Sequence, residues 1–427
     1  MSDVFSKTIK LYLNHKIIAI LFLGIVSGLP LSLVLSTLTV WLAEDGVSKS
    51  AIGLFALITT PYVFKFMWSP LIDRLSLPLL SKYLGRRRGW LIFTQLFLAI
   101  SIIALGIGNP AQNPWYMALW AFIVAVMSAS QDIVIDAYRV EILEDKEQGA
   151  GAAMIVLGYR IGMLISSAGA LYIAHYYSWF VAYFVMATLV VGGMIISLLM
   201  AEPANQIPDN DNNASGLLTK ITSWLTEAVI KPFTDIAKRQ GWLIILLFIL
   251  LYKLGDAFAG IMTNPFLIDL GFDKAQIATI VKIFGVASAV IGSFIGGVIV
   301  NRFDILKSLL ICGILQMLSN LMFVLQAKIG YNTELLALVI AIENLSAGMG
   351  TTAFVAYISS LCNKQYTATQ YALFSALASF GRSVFSASSG WFVERLGWEY
   401  FFILSTIIAI PALIMLIIMK KLLPTKE

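Results

Sequence analysis

The chain has 427 residues, of which 59% are hydrophobic and only 12% charged, with a formal net charge of +5. A soluble domain carries about 45–50% apolar and about 25% charged residues, so this balance, with a mean hydropathy of +0.86, excludes an ordinary soluble globule and marks an integral membrane protein. Nor is the basic excess a nucleic-acid signature, because Lys and Arg fall in short clusters between oily runs, and the two cysteines, Cys312 and Cys362, set neither a disulfide framework nor a metal spacing.

Crossing about 30 Å of hydrocarbon takes about 17–25 mostly apolar residues. Twelve such runs follow one another, at 17–42, 51–72, 90–108, 114–137, 151–175, 179–200, 242–268, 275–300, 307–326, 335–359, 367–392 and 398–419. The first is too long for a signal-peptide core and has no small-residue cleavage site near its end, so it is expected to be retained. The longest polar interruption, 201–241, opens on EPANQIPDNDNNASG. Further along it, Leu217, Leu218, Ile221, Leu225, Val229 and Phe233 recur at helical spacing, which fits either a surface helix or a plain linker. Most of the 29 basic residues lie in the terminal segments and the even-to-odd loops, which by the positive-inside rule places both termini in the cytoplasm.

A repeat divides the twelve runs into two sixes. LAEDGVSKSAI (42–52) aligns with LIDLGFDKAQI (267–277) at an offset of 225, and SPLIDR (69–74) aligns with GVIVNR (297–302). QGAGAAMIVLGYR (148–160) aligns with QYALFSALASFGR (370–382), and SW at 178 with GW at 397. Four matches in order predict an all-α membrane protein with twelve transmembrane helices in two pseudo-symmetric halves around a central cavity. The expected organisation is an N-terminal six-helix half over 1–200, a cytoplasmic linker over 201–241 and a C-terminal six-helix half over 242–427.

This layout, with DR followed by GRRR between the second and third runs, resembles the major facilitator superfamily. The resemblance implies that Asp73, Arg74, Arg86 and Arg87 form a conformational latch that holds the outward-open state. Asn301, standing where the second half should carry its acid, makes the latch asymmetric. The alternative is a basic loop that serves only as a topology anchor. The resemblance also makes the third, sixth, ninth and twelfth helices peripheral. The intramembrane charges are Lys65, Asp132, Asp136, Arg160, Lys253, Asp256, Lys282, Glu343 and Arg382. None is on those four helices, so they are expected to face a wet cavity or one another.

At about 1.5 Å rise per residue, Lys65, Asp132 and Arg160 share a depth of about 12–16 Å, and Glu343 and Arg382 share one of about 25 Å. Asp132 and Asp136 are four apart on one face, and Lys253 and Asp256 three apart. A carboxylate beside a cation in a half-wet cavity can couple protons to helix movement. Asp132 is the first coupling candidate, with Glu343, Asp256 and Asp136 after it. Lys65, Arg160, Lys253 and Arg382 suit an anionic substrate. Static ion pairs and snorkelling cations are the structural alternatives. His15 and His175 lie at span ends without metal spacing, so no metal site is expected. With no GxxxxGK[ST] loop and no catalytic constellation, the chain is expected not to be an enzyme, and energy would come from a gradient rather than a cofactor.

GIVSGLPLSL (24–33), YVFKFMWSPLIDR (62–74), GRRRGW (85–90), SASQDIVIDAYRVEIL (128–143) and GAGAAMIVLGYRIGML (149–164) are very similar to the AmpG muropeptide permease family. The resemblance implies proton-coupled uptake of N-acetylglucosaminyl-1,6-anhydro-N-acetylmuramyl peptides across the bacterial inner membrane. That flux serves cell-wall recycling and, in some bacteria, β-lactamase induction. It carries the family's embedded acids onto Asp132 and Asp136 and its lysine onto Lys65. Gln131, Tyr159 and Asn344 suit sugar and acetamide groups. The expected partners are the muropeptide and the lipid bilayer, with no nucleic acid, and the protein is expected to be a monomer. Two alternatives stay open: a carrier of acetyl-CoA or another nucleotide-bearing anion, whose family shares the FKFxWSP-like stretch, and a non-transporting sensor on the same fold.

Overall fold

The computed structural model describes residues 11–47, 55–204, 226, 230–386 and 388–422. All regular structure in them is helical. Helical segments stand at the twelve apolar runs: α1 (15–44), α2 (55–74), α3 (Arg86–Ile107), α4 (Pro114–Ile142), α5 (148–176), α6 (Trp179–Leu199), α7 (242–269), α8 (274–302), α9 (Ile305–Ile329), α10 (Thr333–Leu361), α11 (Thr367–Ser386) and α12 (Ser389–Leu422). Among the described residues, ten are long and apolar enough to cross a membrane on that basis alone.

The other two, α2 and α11, depart for reasons carried by their residues. Pro61 and Pro70 each restart α2, because proline lacks the N–H that a continuing helix needs. Between them Lys65–Met67 is a tight 3₁₀ turn. α11 is continuous, but TATQYALFSALASFGRSVFS is rich in hydroxyls and carries Arg382. α7 is also interrupted, at Tyr252 and Lys253 between Trp242–Leu251 and Leu254–Asp269. Of the linker's apolar series, residues 217, 218, 221, 225 and 229 lie outside the described residues, and Phe233 is in a short helix, Lys231–Ala237.

The chain divides into two compact units. The first comprises 1–147, 154–232 and 362–373, and the second 148–153, 233–361 and 374–427. In the first, α1 and α5 cross with their backbones touching: a Cβ on Gly28 would strike the carbonyl oxygen of Tyr159. Small residues permit that approach in a membrane, where packing rather than water exclusion drives helices together. Both helices then loosen into π-helical turns, Leu33–Thr37 and Ile165–Gly169. The Thr37 hydroxyl donates to the Ser166 carbonyl at 2.6 Å, joining the two irregular turns. Leu29, Leu33, Leu98, Ile102, Val124 and Tyr183 lie in the core of this unit.

The second unit is held by aromatic rings from α7, α9 and α12. Phe323 stacks on Phe402 with centroids 4.9 Å apart, and Phe258 on Phe401 at 5.2 Å. One fastening recurs in both units. Trp179 Nε1 donates to Glu44 at 3.0 Å, and Trp398 Nε1 donates to Asp269 at 3.1 Å. These four positions are repeat partners in the alignment of 42–52 with 267–277 and of SW with GW.

Candidate functional site

The buried polar residues of the first unit collect around α4. Ser128, Asp132 and Asp136 recur every four residues and so lie along one face. Asp132, 9% exposed, accepts a hydrogen bond of 2.5 Å from Ser27 Oγ on α1. The break in α2 turns Lys65 into the unit, where its buried ammonium faces both Asp132 and Asp136. Among the described residues it makes no direct ion pair with either. Tyr62, one helical turn before Lys65, faces Asp132 and Tyr159. Gln131 donates to the Val26 carbonyl at 3.4 Å, and its own carbonyl oxygen takes no protein donor among the described residues.

Lower on the same face, Asp136 accepts from the Tyr371 hydroxyl and faces Arg139. The Arg139 guanidinium lies 5.5 Å from the centre of the Tyr371 ring. Of the expected group Lys65, Asp132 and Arg160, Lys65 and Asp132 thus face each other, and the polar face continues through Asp136 to α11. Arg160 and Tyr159 are both half-buried on α5.

In the second unit Lys253 occupies the break in α7. Its ammonium reaches Asp256 at 3.5 Å, Gln316 Oε1 at 3.3 Å and the Ala347 carbonyl at 3.4 Å. Glu343 accepts from its neighbour Asn344 at 2.6 Å. Arg382 is exposed and donates to Ser379 on its own helix at 3.0 Å. The side chain of Lys282 lies outside the described residues.

The four residues expected to form a latch make a second polar focus. Asp73, only 1% exposed, accepts from Ala368 N at 3.1 Å, Thr369 N at 2.7 Å and Thr369 Oγ1 at 2.6 Å. Those N–H groups belong to the first turn of α11, where a helix has no internal acceptors and presents the positive end of its dipole. Arg87 pairs with Asp73 at 2.8 Å and grips Glu141 of α4 through Nη2 at 2.5 Å and Nε at 2.9 Å. Arg86 donates to the Asp73 carbonyl, and Arg74 lies over the Tyr366 ring at 5.2 Å. Arg86, Arg87 and Arg88 open α3 rather than sitting in a loop before it, because Glu202 accepts from the N–H groups of Arg87 and Arg88.

Sequence reasoning passed over Ser27, Tyr62, Arg139, Glu141, Glu202, Thr369 and Tyr371. Arg139 and Glu141 stand inside the SASQDIVIDAYRVEIL stretch, so their charge near a span end was a usable signal. Thr369 and Tyr371 join the first unit only through the folding of the chain.

The Major Facilitator Superfamily model matches residues 20–259 and again 253–427. An anhydromuropeptide permease of Escherichia coli (strain K12) is 40% identical over 97% of this chain and 82% of its own length. A putative transporter AmpG 4 of Rickettsia conorii is 38% identical over 95% of this chain and 97% of its own. Among solved structures, the transporter FucP in the outward conformation superposes with a TM-score of 0.69 at 14% identity, covering 94% of this chain and 97% of that one. The human organic anion transporter MFSD10 gives 0.68 at 13% identity, covering 94% and 99%. At such low identities the structures speak for the fold.

Proposed function

Because the chain belongs to the major facilitator superfamily, and within it to the AmpG permeases, we propose that it imports N-acetylglucosaminyl-1,6-anhydro-N-acetylmuramyl peptides, driven by the proton gradient. Transport runs from periplasm to cytoplasm across a bacterial inner membrane, with both termini cytoplasmic and the monomer as the working unit. The observation that carries this reading is the 40% identity to an anhydromuropeptide permease over nearly the whole chain.

The geometry of the first unit suits the task. Asp132 is a buried acid with one hydroxyl donor and one facing cation. In such a site the balance of desolvation, hydrogen bonding and neighbouring charge sets proton affinity, and small helix movements alter all three. A proton on Asp132 leaves Lys65 free to meet a peptide carboxylate, and departure of that carboxylate returns Lys65 to the acids. Arg160, Lys253 and Arg382 supply further cations for the peptide, and Gln131, Asn344 and Tyr159 supply amides and a ring for the sugars. Glu343, Asp256 and Asp136 are the other acids available to carry protons. Asp73, Arg74, Arg86 and Arg87 hold the first turn of α11 and act as the latch of the alternating-access cycle. The imported cargo feeds cell-wall recycling and, where the host has the circuit, β-lactamase induction.

Reconstitution in liposomes tests the reading. Labelled anhydro-disaccharide tripeptide should accumulate only under an inward proton gradient, and Asp132→Asn should abolish accumulation while leaving exchange of internal for external substrate. Accumulation by Asp132→Asn equal to wild type would sink the role of that acid. Uptake of acetyl-CoA in place of muropeptide would overturn the substrate.

A further inference from the structure

The family resemblance makes α9 a peripheral scaffold, yet its midpoint carries two buried amides. Asn320 is 1% exposed and Gln316 5%. Among the described residues, neither Nδ2 nor Oδ1 of Asn320 meets a protein partner, and Nε2 of Gln316 meets none. Halfway across a bilayer such atoms are as far from bulk water as they can be, and backbone or side-chain polar groups there are kept only where something satisfies them.

Both residues line one cavity of about 10 Å³, together with Asp256, Tyr252, Met317 and Leu413. That is about the room one water molecule needs, and a buried water needs two to four polar partners. Lys253 leans toward the same place, but its contact with Asp256 is long at 3.5 Å. Lys253 is buried and Asp256 half-buried, and such a pair is stable only when other hydrogen bonds satisfy its remaining lone pairs. Gly350 of α10 makes the arrangement possible, because a Cβ there would strike Gln316 Oε1 and lie 3.5 Å from Lys253 Nζ.

We infer that this cavity is a binding site for a single water molecule, donated to by Gln316 Nε2 and Asn320 Nδ2 and donating to the Asp256 carboxylate. The site keeps the Lys253–Asp256 pair hydrated at the centre of the membrane. The Lys253 ammonium, 3.3 Å from Gln316 Oε1, puts a positive charge beside the cavity and so favours a neutral water over a metal cation there. The water site stands on the geometry of the second unit alone. Its value to transport rests on the permease reading above.

Hydroxyl-radical labelling of the full chain in nanodiscs separates the two. Radicals generated from a bound water oxidise the side chains beside it. Leu413, 8% exposed, should therefore be labelled in wild type, while fully buried Phe402, outside the cavity, should not. Asn320→Leu and, independently, Gln316→Leu should cut Leu413 labelling by up to about tenfold, as expected for loss of one neutral hydrogen bond to the water. Leu413 that stays unlabelled in wild type, or is labelled equally in a folded variant, overturns the site. In liposomes the same variants should lower gradient-driven muropeptide uptake about tenfold. Normal labelling with no wild-type uptake would overturn the permease reading and leave the water in place. Loss of labelling with unchanged uptake would overturn the transport role.

Discussion

Lys65 faces two carboxylates that stand one helical turn apart. Removing one charge from a buried set is costly because its partner is left uncompensated, whereas removing both is far milder. Lys65→Met should therefore lower the unfolding temperature more than the double variant Lys65→Met/Asp132→Asn, with an interaction energy of about 0.5–3 kcal/mol in the double-mutant cycle. Additive losses would mean that Lys65 and Asp132 do not sense each other. Tyr371 makes a second residue-scale case, since it gives its hydroxyl to Asp136 and its ring to Arg139. Tyr371→Phe should cost about 1.5–3 kcal/mol, the usual worth of a hydrogen bond to a charged group, and Tyr371→Leu more, because Arg139 then loses its ring. Equal losses in chemical denaturation would show that the ring contact contributes nothing.

Helices fix where those residues stand, and one of them tests the packing rule. Gly28→Ala puts a methyl group against the Tyr159 carbonyl, so α1 and α5 must separate. Overpacking of this kind costs about 1–3 kcal/mol. Gly192→Ala on α6 has open space around the new Cβ and should leave stability unchanged or raise it by about 0.4–1 kcal/mol. The thermal unfolding temperature should fall only in Gly28→Ala, and transport should fall with it. Helix positions were largely legible in the sequence because hydrocarbon thickness imposes a length, and composition reports it directly. Charge pairs within one helix were legible too: Lys253 and Asp256 are three apart and meet. What could not be read was discontinuity. Pro61 and Pro70 are visible, but whether they kink or break α2 depends on what takes up the freed carbonyls. Partners from distant segments, such as Thr369 for Asp73 or Ser27 for Asp132, leave no periodic trace at all.

At the scale of the whole molecule, Asp73 is the residue whose loss should be felt farthest from its position. It gathers Arg87, Ala368 and the two donors of Thr369 on one carboxylate. Asp73→Ala frees the start of α11 and leaves Arg87 with Glu141 alone. Backbone N–H groups of residues 368 and 369 should then exchange with deuterium at least about tenfold faster, the rise that losing about 1.4 kcal/mol of local protection produces. The uptake rate should change as well. Asp73→Glu, which keeps the charge on a longer arm, should recover part of both. Unchanged exchange at 368 and 369 would show that other contacts hold this turn.

The two Trp–carboxylate fastenings carry a statement about ancestry. Glu44 with Trp179 and Asp269 with Trp398 are what duplication of one six-helix unit would leave behind, and both pairs close, at 3.0 and 3.1 Å. The chemistry was not kept in duplicate. Asn301 answers to Asp73, and residues 351–360, which answer to Asp132 across the repeat offsets, contain no charge. The fastening is thus common to both units, while the charged sites differ between the two halves of the repeat. Descendants of the same ancestor that haul different cargo should retain the fastenings and differ in their acids.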